Sequence, residues 1–182
     1  MKARTGFGLC LLSIMMGAVK RPSVAADSVW PTARNADVAT PAAVMKASYE
    51  AISGPPGQNL NLDRFRSLFV PQAQLISVSR KDGAATTHTM TIKEFAEMAN
   101  GLIGRDGHIE HEIAERVETY GNIAEIWSSF ESRRTPQDPH VVRGINSIQL
   151  MNDGKRWWIT SAEWQHETPD LPLPAKYLSD RR

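Results

Sequence analysis

An α+β fold, with helices packed on one antiparallel sheet, is what this 182-residue chain predicts. Three observations carry that expectation. Helical signals concentrate between residues 41 and 107. The second half is a run of long stretches in which apolar and polar residues alternate. The last two of these flank Asn152-Asp153-Gly154, the residue types of a tight hairpin turn.

The elements follow in order. Thr40-Pro41 reads as an N-cap followed by proline at the first helical position, and Met45, Tyr49 and Ile52 then share one helical face. The stretch "SGPPGQN" stops that helix. A second, shorter one runs through "LDRFRSLF" and offers Leu62, Phe65, Leu68 and Phe69 to a core. "AQLISVS", "RKDG" and "AATTHTM" read as strand, turn and returning strand. Thr91 and Glu94 stand at the spacing of a capping box and open a third helix, with Phe95, Met98, Ala99, Leu102 and Ile103 on its apolar side. Gly104 and Gly107 close it. "HIEHEIAERVETY" is ambiguous, because Ile109, Ile113 and Val117 suit one face of a helix or of a strand; the local pattern leans to helix. "NIAEIWSSFES", "VVRGINSIQLM" and "RWWITSAEW" alternate as strands.

Before the first helix, residues 1–26 have the pattern of a secretory leader. Lys2 and Arg4 precede an apolar run from Gly6 to Val19, and Val24 and Ala26 occupy the small-residue positions before a cut. The run falls short of the roughly 20 apolar residues that span a bilayer. Lys20 and Arg21 keep an uncleaved anchor open as the alternative. The expected location is the periplasm or the exterior, with no membrane association once the leader is gone. Residues 27–40 read as a flexible lead-in, and 167–182 as a proline-rich, extended tail. The one cysteine, Cys10, lies in the leader, so the mature chain would carry no thiol for a disulfide, a nucleophile or a thiolate metal site. Of the 21 basic residues four are in the leader; the remaining 17 face 20 acidic ones, a net charge of −3. No long basic run remains, and no nucleic-acid partner is expected.

Four stretches, "YEAISGPPGQ", "DRFRSLFVPQAQLI", "YGNIAEIWSSFESR" and "RGINSIQLMNDGKRWWI", resemble exported, uncharacterised bacterial members of the nuclear transport factor 2-like superfamily, which also holds ketosteroid isomerases and polyketide cyclases. The resemblance covers residues 41–166. It implies a cone-shaped α+β barrel with three helices from the N-terminal half packed on a curved antiparallel sheet around a pocket. It also turns "HIEHEIAERVETY" into a strand. Carried over residue by residue, the isomerase's donor pair falls on Tyr49 and Asn146, while the position of its carboxylate base falls on Ser77. A serine does not take up a proton at neutral pH without its own base.

Parity along the strands then assigns faces. Asn146 would bring Ile148 and Leu150 inward. The superfamily's register would bring Ile159, Ser161, Glu163 and Gln165, and on the neighbouring strand Ala124, Ile126, Ser128, Phe130 and Ser132. The expected polar lining is Tyr49, Ser77, His111, Ser128, Asn146 and Glu163, with Glu163 and His111 as acid/base candidates. For each a plainer role is open: a solvated rim carboxylate, a histidine bonded to a neighbour, a satisfied core tyrosine, an asparagine tying strands. His108 and His111 point to opposite sides of a strand, and neither a metal nor a cofactor is expected. Trp127, Ile145, Met151, Trp158 and Trp164 would form an outer apolar face suited to a homodimer. The alternative is that the tail, through Leu171, Leu173 and Tyr177, covers this face. The leading functional expectation is an exported protein that binds a small apolar or amphipathic molecule. The alternatives are a lyase or isomerase for a small carbonyl or polyketide-like compound, and a structural dimerisation module.

Overall fold

The computed structural model describes residues 29–81 and 83–179. The leader pattern, its cleavage site and Cys10 lie outside the described residues, as do residues 27–28 of the lead-in, Asp82 of the first turn and the last three residues of the tail. Three helices lie against one six-stranded sheet. Helix α1 (Pro41–Ile52) starts where expected, with the Thr40 hydroxyl accepting from the Ala43 amide. Helix α2 is a short Leu62–Arg66 segment; Leu68 lies in the turn that follows it and Phe69 is already the first residue of the sheet. Helix α3 (Ile92–Asp106) has the full capping box of Thr91 and Glu94. It ends at Gly107, whose φ of +79° and crowded surroundings exclude a side chain: a Cβ there would sit 2.6 Å from Pro56 and closer still to the Arg134 carbonyl.

The strands are β1 (Phe69–Lys81), β2 (Ala84–Thr91), β3 (Ile109–Tyr120), β4 (Ile123–Arg133), β5 (Val142–Asn152) and β6 (Trp157–His166), in the sheet order β2-β1-β6-β5-β4-β3. Four of the five pairings are antiparallel. The fifth, β1 on β6, is parallel, so the sheet is mixed. "HIEHEIAERVETY" is a strand paired with β4 from end to end; backbone pairing at this long range overrides a local pattern that suited either structure.

The curved sheet and the helices enclose the core. Phe69, Phe65, Phe95 and Trp164 form one aromatic chain joining β1, α2, α3 and β6, with successive ring centroids 4.7, 5.1 and 6.1 Å apart. Ile126 and Ile159 are fully buried at its base.

The lead-in is fastened, which corrects the expectation of a flexible segment over residues 29–40. Asp37, in one turn of 3-10 helix (Asn35–Asp37), takes a two-pronged bond from Arg64 at 2.7 and 2.8 Å, and Arg64 also reaches Glu50 at 2.8 Å. Arg64 beside it holds the Asp37 carboxyl below the usual aspartate range. The Val38 carbonyl accepts from the Trp157 amide, and the Trp30 indole donates to the Phe69 carbonyl.

Candidate functional site

The cone holds a cavity of about 190 Å³. Most of its wall is apolar, from Met45 and Ile52 on α1 to Ile148, Ile159 and Trp164 on the sheet. Its polar groups are Ser48, Tyr49, His108, Glu110, Asn146 and His166. Strands β4 and β5 pair without interruption, Ser128 against Asn146 and Ile126 against Ile148, so inward residues stand in regular rows.

A hydrogen-bonded chain crosses this wall. Asn146 Nδ2 donates to Tyr49 Oη at 2.9 Å, Tyr49 Oη lies 2.6 Å from Ser128 Oγ, and Ser128 Oγ donates to the Glu112 carboxylate in a short bond. Serine has one proton to give, and Glu112 receives it. Tyr49 must therefore be the donor in its bond to Ser128. Burial, reinforced by the negative charge of Glu110, holds the Tyr49 phenol well above its ordinary value, so it stays protonated. The phenolic proton is thus directed into the wall rather than at a ligand. Tyr49 and Asn146 are adjacent, as the resemblance implies, but they are spent largely on each other. Asn146 keeps its second amide hydrogen and faces the cavity. Ser128 is fully buried behind Tyr49, not on the cavity surface.

The second polar feature was not anticipated as part of the site. His108 Nε2 lies 3.0 Å from Glu110 Oε2, and both line the cavity. The His108 backbone is pinned by paired bonds to Gly54 at 2.7 and 2.9 Å, which fixes where the ring starts. The Glu110 amide is bound by Ser53 Oγ at 3.0 Å. His166 stands at the same mouth, edge-on to Phe130 with ring centroids 5.9 Å apart. Although the residue keeps an exposed side, burial of the ring holds its pKa below the ordinary histidine value; Glu110 opposes that shift and His108 adds to it.

Both acid/base candidates of the sequence face away from the cavity. On β6, Leu150 pairs with Ile159 but Gln149 pairs with Ser161, leaving Thr160 as an extra residue in a β-bulge. Ile159 points inward as expected. Beyond the bulge parity inverts: Ala162, Trp164 and His166 line the cavity, and Glu163 is exposed on the outer face. Strand β3 does the same at Ile113, which stands between the Glu112–Phe130 and Ala114–Ser129 pairs. Ahead of that bulge His111 opposes the outward Glu131 and is exposed, while Glu110 and Glu112 turn inward. Glu163 and His111 are therefore corrected as cavity residues. Ser77 opposes Trp164 on the inward side of β1 but does not reach the cavity.

The outer apolar face is also revised. Trp164 is removed from it by the bulge. Trp127 and Ile145 do face outward, but the chain's own tail lies over them, which is the alternative to the expected sheet-on-sheet contact. The tail is not simply extended: Thr168 and Leu171 bridge, Ala175–Tyr177 form a 3-10 turn, and the Tyr177 ring packs on Trp127 with centroids 5.4 Å apart. Ser129 Oγ donates to the Tyr177 carbonyl at 2.6 Å. Met151 and Trp158 remain on the outer side; Trp158 lies under the Arg156 guanidinium, 3.5 Å from ring centre to Cζ, and donates to Asp153.

A mixed sheet wrapped round three helices, with a lined cavity, defines the class of fold. Two solved structures with a TM-score of 0.52 share it. One is a cystatin-like-fold protein of unknown function from Methylobium petroleophilum, 17% identical over 72% of this chain and 78% of its own. The other is an uncharacterised cystatin-like-fold protein from Caulobacter vibrioides, 12% identical over 71% and 88%. An NTF2-like protein of unknown function from Silicibacter pomeroyi is 17% identical over 71% of this chain and 94% of its own, at a TM-score of 0.47. No protein-family model matches the sequence, and no curated protein does. The fold is the cystatin-like fold of the two structures at a TM-score of 0.52. At this identity the likeness speaks for the fold alone.

Proposed function

We propose that the protein binds a small, mostly apolar molecule with one polar end in the cone cavity. The observation that carries this is the segregation of the lining. Apolar side chains form most of the wall, while His108, Glu110, Asn146 and His166 supply the polar groups against which a ligand's polar end can be oriented. The leader pattern of residues 1–26 supports a role outside the cytoplasm. A homodimer, if part of that role, would use the outer row that the tail leaves open, Ile123, Met151 and Trp158, and sedimentation of Trp158→Glu tests it.

Native mass spectrometry of the protein purified from its own compartment is the direct test. A retained small molecule is expected, together with its loss from Ile148→Trp, a variant that fills the cavity and whose fold is checked by circular dichroism. Retention of the same molecule by a folded Ile148→Trp would sink the proposal.

One observation favours a catalytic reading as the second choice. The His108–Glu110 contact at 3.0 Å puts an imidazole and a carboxylate together on the cavity wall, the pairing that orients a general base. An isomerase or lyase acting on a small carbonyl compound would have to use this pair, since Glu163 and His111 face the other way. His108→Gln should then abolish turnover while leaving ligand retention intact.

A further inference from the structure

The structure assigns a second ligand site to the outer face, a groove under the C-terminal tail that we infer takes an organic ammonium ion with an apolar body. The groove shares Trp164 and His166 with the cone cavity, but its carboxylates, its aromatic pair and the tail that covers it belong to the outer face. The tail is anchored at two points. At one, Glu167 receives the Leu173 amide at 2.9 Å and Arg143 Nε at 2.7 Å. At the other, Tyr177 packs on Trp127 and its carbonyl is held by Ser129. Between the anchors the chain arches over β4, β5 and β6 and leaves a cavity of about 320 Å³, larger than the one in the cone.

Its lining specifies the occupant. Ile145, Leu171 and Leu173 make it apolar, and the Trp127–Tyr177 pair adds aromatic surface, which attracts cations as well as hydrocarbon. Two carboxylates reach it. Glu167 is committed to Arg143 and to the Leu173 amide. Glu163 makes no hydrogen bond or ion pair with any described residue, and the bulge at Thr160 is what turns it into the groove. The lysine and arginine nearest the aromatic pair, Lys176 and Arg116, lie over the Tyr177 ring rather than against Glu163. A greasy slot with one uncommitted carboxylate suits a primary ammonium group: its N–H groups donate to Glu163 and its carbon body fills the space beside Trp127.

The test is calorimetric titration of the full chain with phenethylammonium and with its neutral analogue 2-phenylethanol. The ammonium is expected to bind, the alcohol at least about tenfold more weakly, and Glu163→Gln to cost the ammonium about tenfold in affinity. Trp127→Leu should weaken it severalfold, and Glu110→Gln, in the cone cavity, should leave it unchanged. Equal affinity of wild type and Glu163→Gln would overturn the assignment, as would equal affinity for amine and alcohol, or no binding at about 10 mM. Loss of binding in Glu110→Gln would place the amine in the cone instead and remove the second site without touching the first. A dimer that dissociates on Trp127→Leu would make the groove a subunit contact, and the assignment would fall.

Discussion

Strands β4 and β5 differ from strands β3 and β6 in one respect that governs the whole molecule. The first two pair residue for residue along their length. Each of the other two carries one extra residue, Ile113 or Thr160. In β4 and β5 a residue's position in the count tells which face it serves: Ala124, Ile126, Ser128, Phe130 and Ser132 are all buried, and Asn146, Ile148 and Leu150 follow suit on the inward side. In β3 and β6 the count holds only up to the bulge. Glu110 and His166, two of the cavity's polar groups, and Glu163, the groove's uncommitted carboxylate, lie on the bulged strands. A bulge lets a strand change which of its residues serves the core without a break in pairing.

Exchanging two neighbours beyond the bulge, Glu163→Trp together with Trp164→Glu, attacks this difference most directly. The exchange restores the order an unbulged strand would want, and on the bulged one it points a carboxylate at Phe95 and a tryptophan at the outer face. Burial of an unpaired carboxylate and loss of the Phe95–Trp164 contact should cost about 4–5 kcal/mol or more, enough to prevent folding at ambient temperature. Urea unfolding followed by circular dichroism measures it. Near wild-type stability of the exchanged variant would mean that the bulge migrates freely and does not fix the faces, whereas deletion of Thr160 alone leaves every present pairing in place.

A pair of neighbouring serines on the regular strand β4 sharpens the comparison at a smaller scale. Ser128 points inward and links Tyr49 to Glu112; Ser129 points outward and holds the tail. Ser128→Ala leaves a buried phenol and a carboxylate short of a partner and should cost about 1–3 kcal/mol. Ser129→Ala removes one bond to a surface segment and should cost about 0.5–1.5 kcal/mol. The reverse order in urea midpoints would show that the tail, not the buried chain of hydrogen bonds, is the stiffer part of the molecule.

The same contrast explains what could be read from the chain before folding. Capping residues and alternation placed all three helices and five of the six strands, because these signals are local; β3 leaned to helix on its own pattern and became a strand only through the resemblance. Tyr49 and Asn146 were placed by the resemblance, and the unbroken pairing of β5 keeps Asn146 on the inward face. Glu163, His111 and Trp164 were assigned to the wrong face because each sits on a strand whose parity a bulge inverts, and neither Ile113 nor Thr160 differs in type from an ordinary strand residue. The His108–Glu110 contact had a visible signal, since residues two apart along extended backbone share a face, but Ile109, Ile113 and Val117 dominate the pattern of that stretch. The parallel pairing of β1 with β6 left no local trace at all, being set by where α3 and β3 carry the chain between them.

The smallest expected effect separates the cavity mouth from the lead-in clamp by pH. Both Asp37 and His166 have lowered pKa values in the folded chain, but from different causes and starting points. For His166 the ordinary value is 6.5, and the folded state takes up the proton less readily than the unfolded chain does. Its contribution to stability is therefore complete above 6.5 and is lost as the pH falls from there through the folded value. For Asp37 the Arg64 clamp favours the charged form, so that contribution is complete above 3.8 and is lost only as the pH falls further, through the lowered value. Urea midpoints followed from pH about 8 down to about 3 should show two separate declines. His166→Gln should flatten the upper one and leave the lower, and Asp37→Asn should leave the upper and make the lower shallower without removing it, because other paired carboxylates such as Glu131, Asp138 and Glu167 share it. If His166→Gln left the upper decline in place, another group would be responsible for it, and the ring would be free of the packing against Phe130 that ties β6 to β4 at the mouth of the cone.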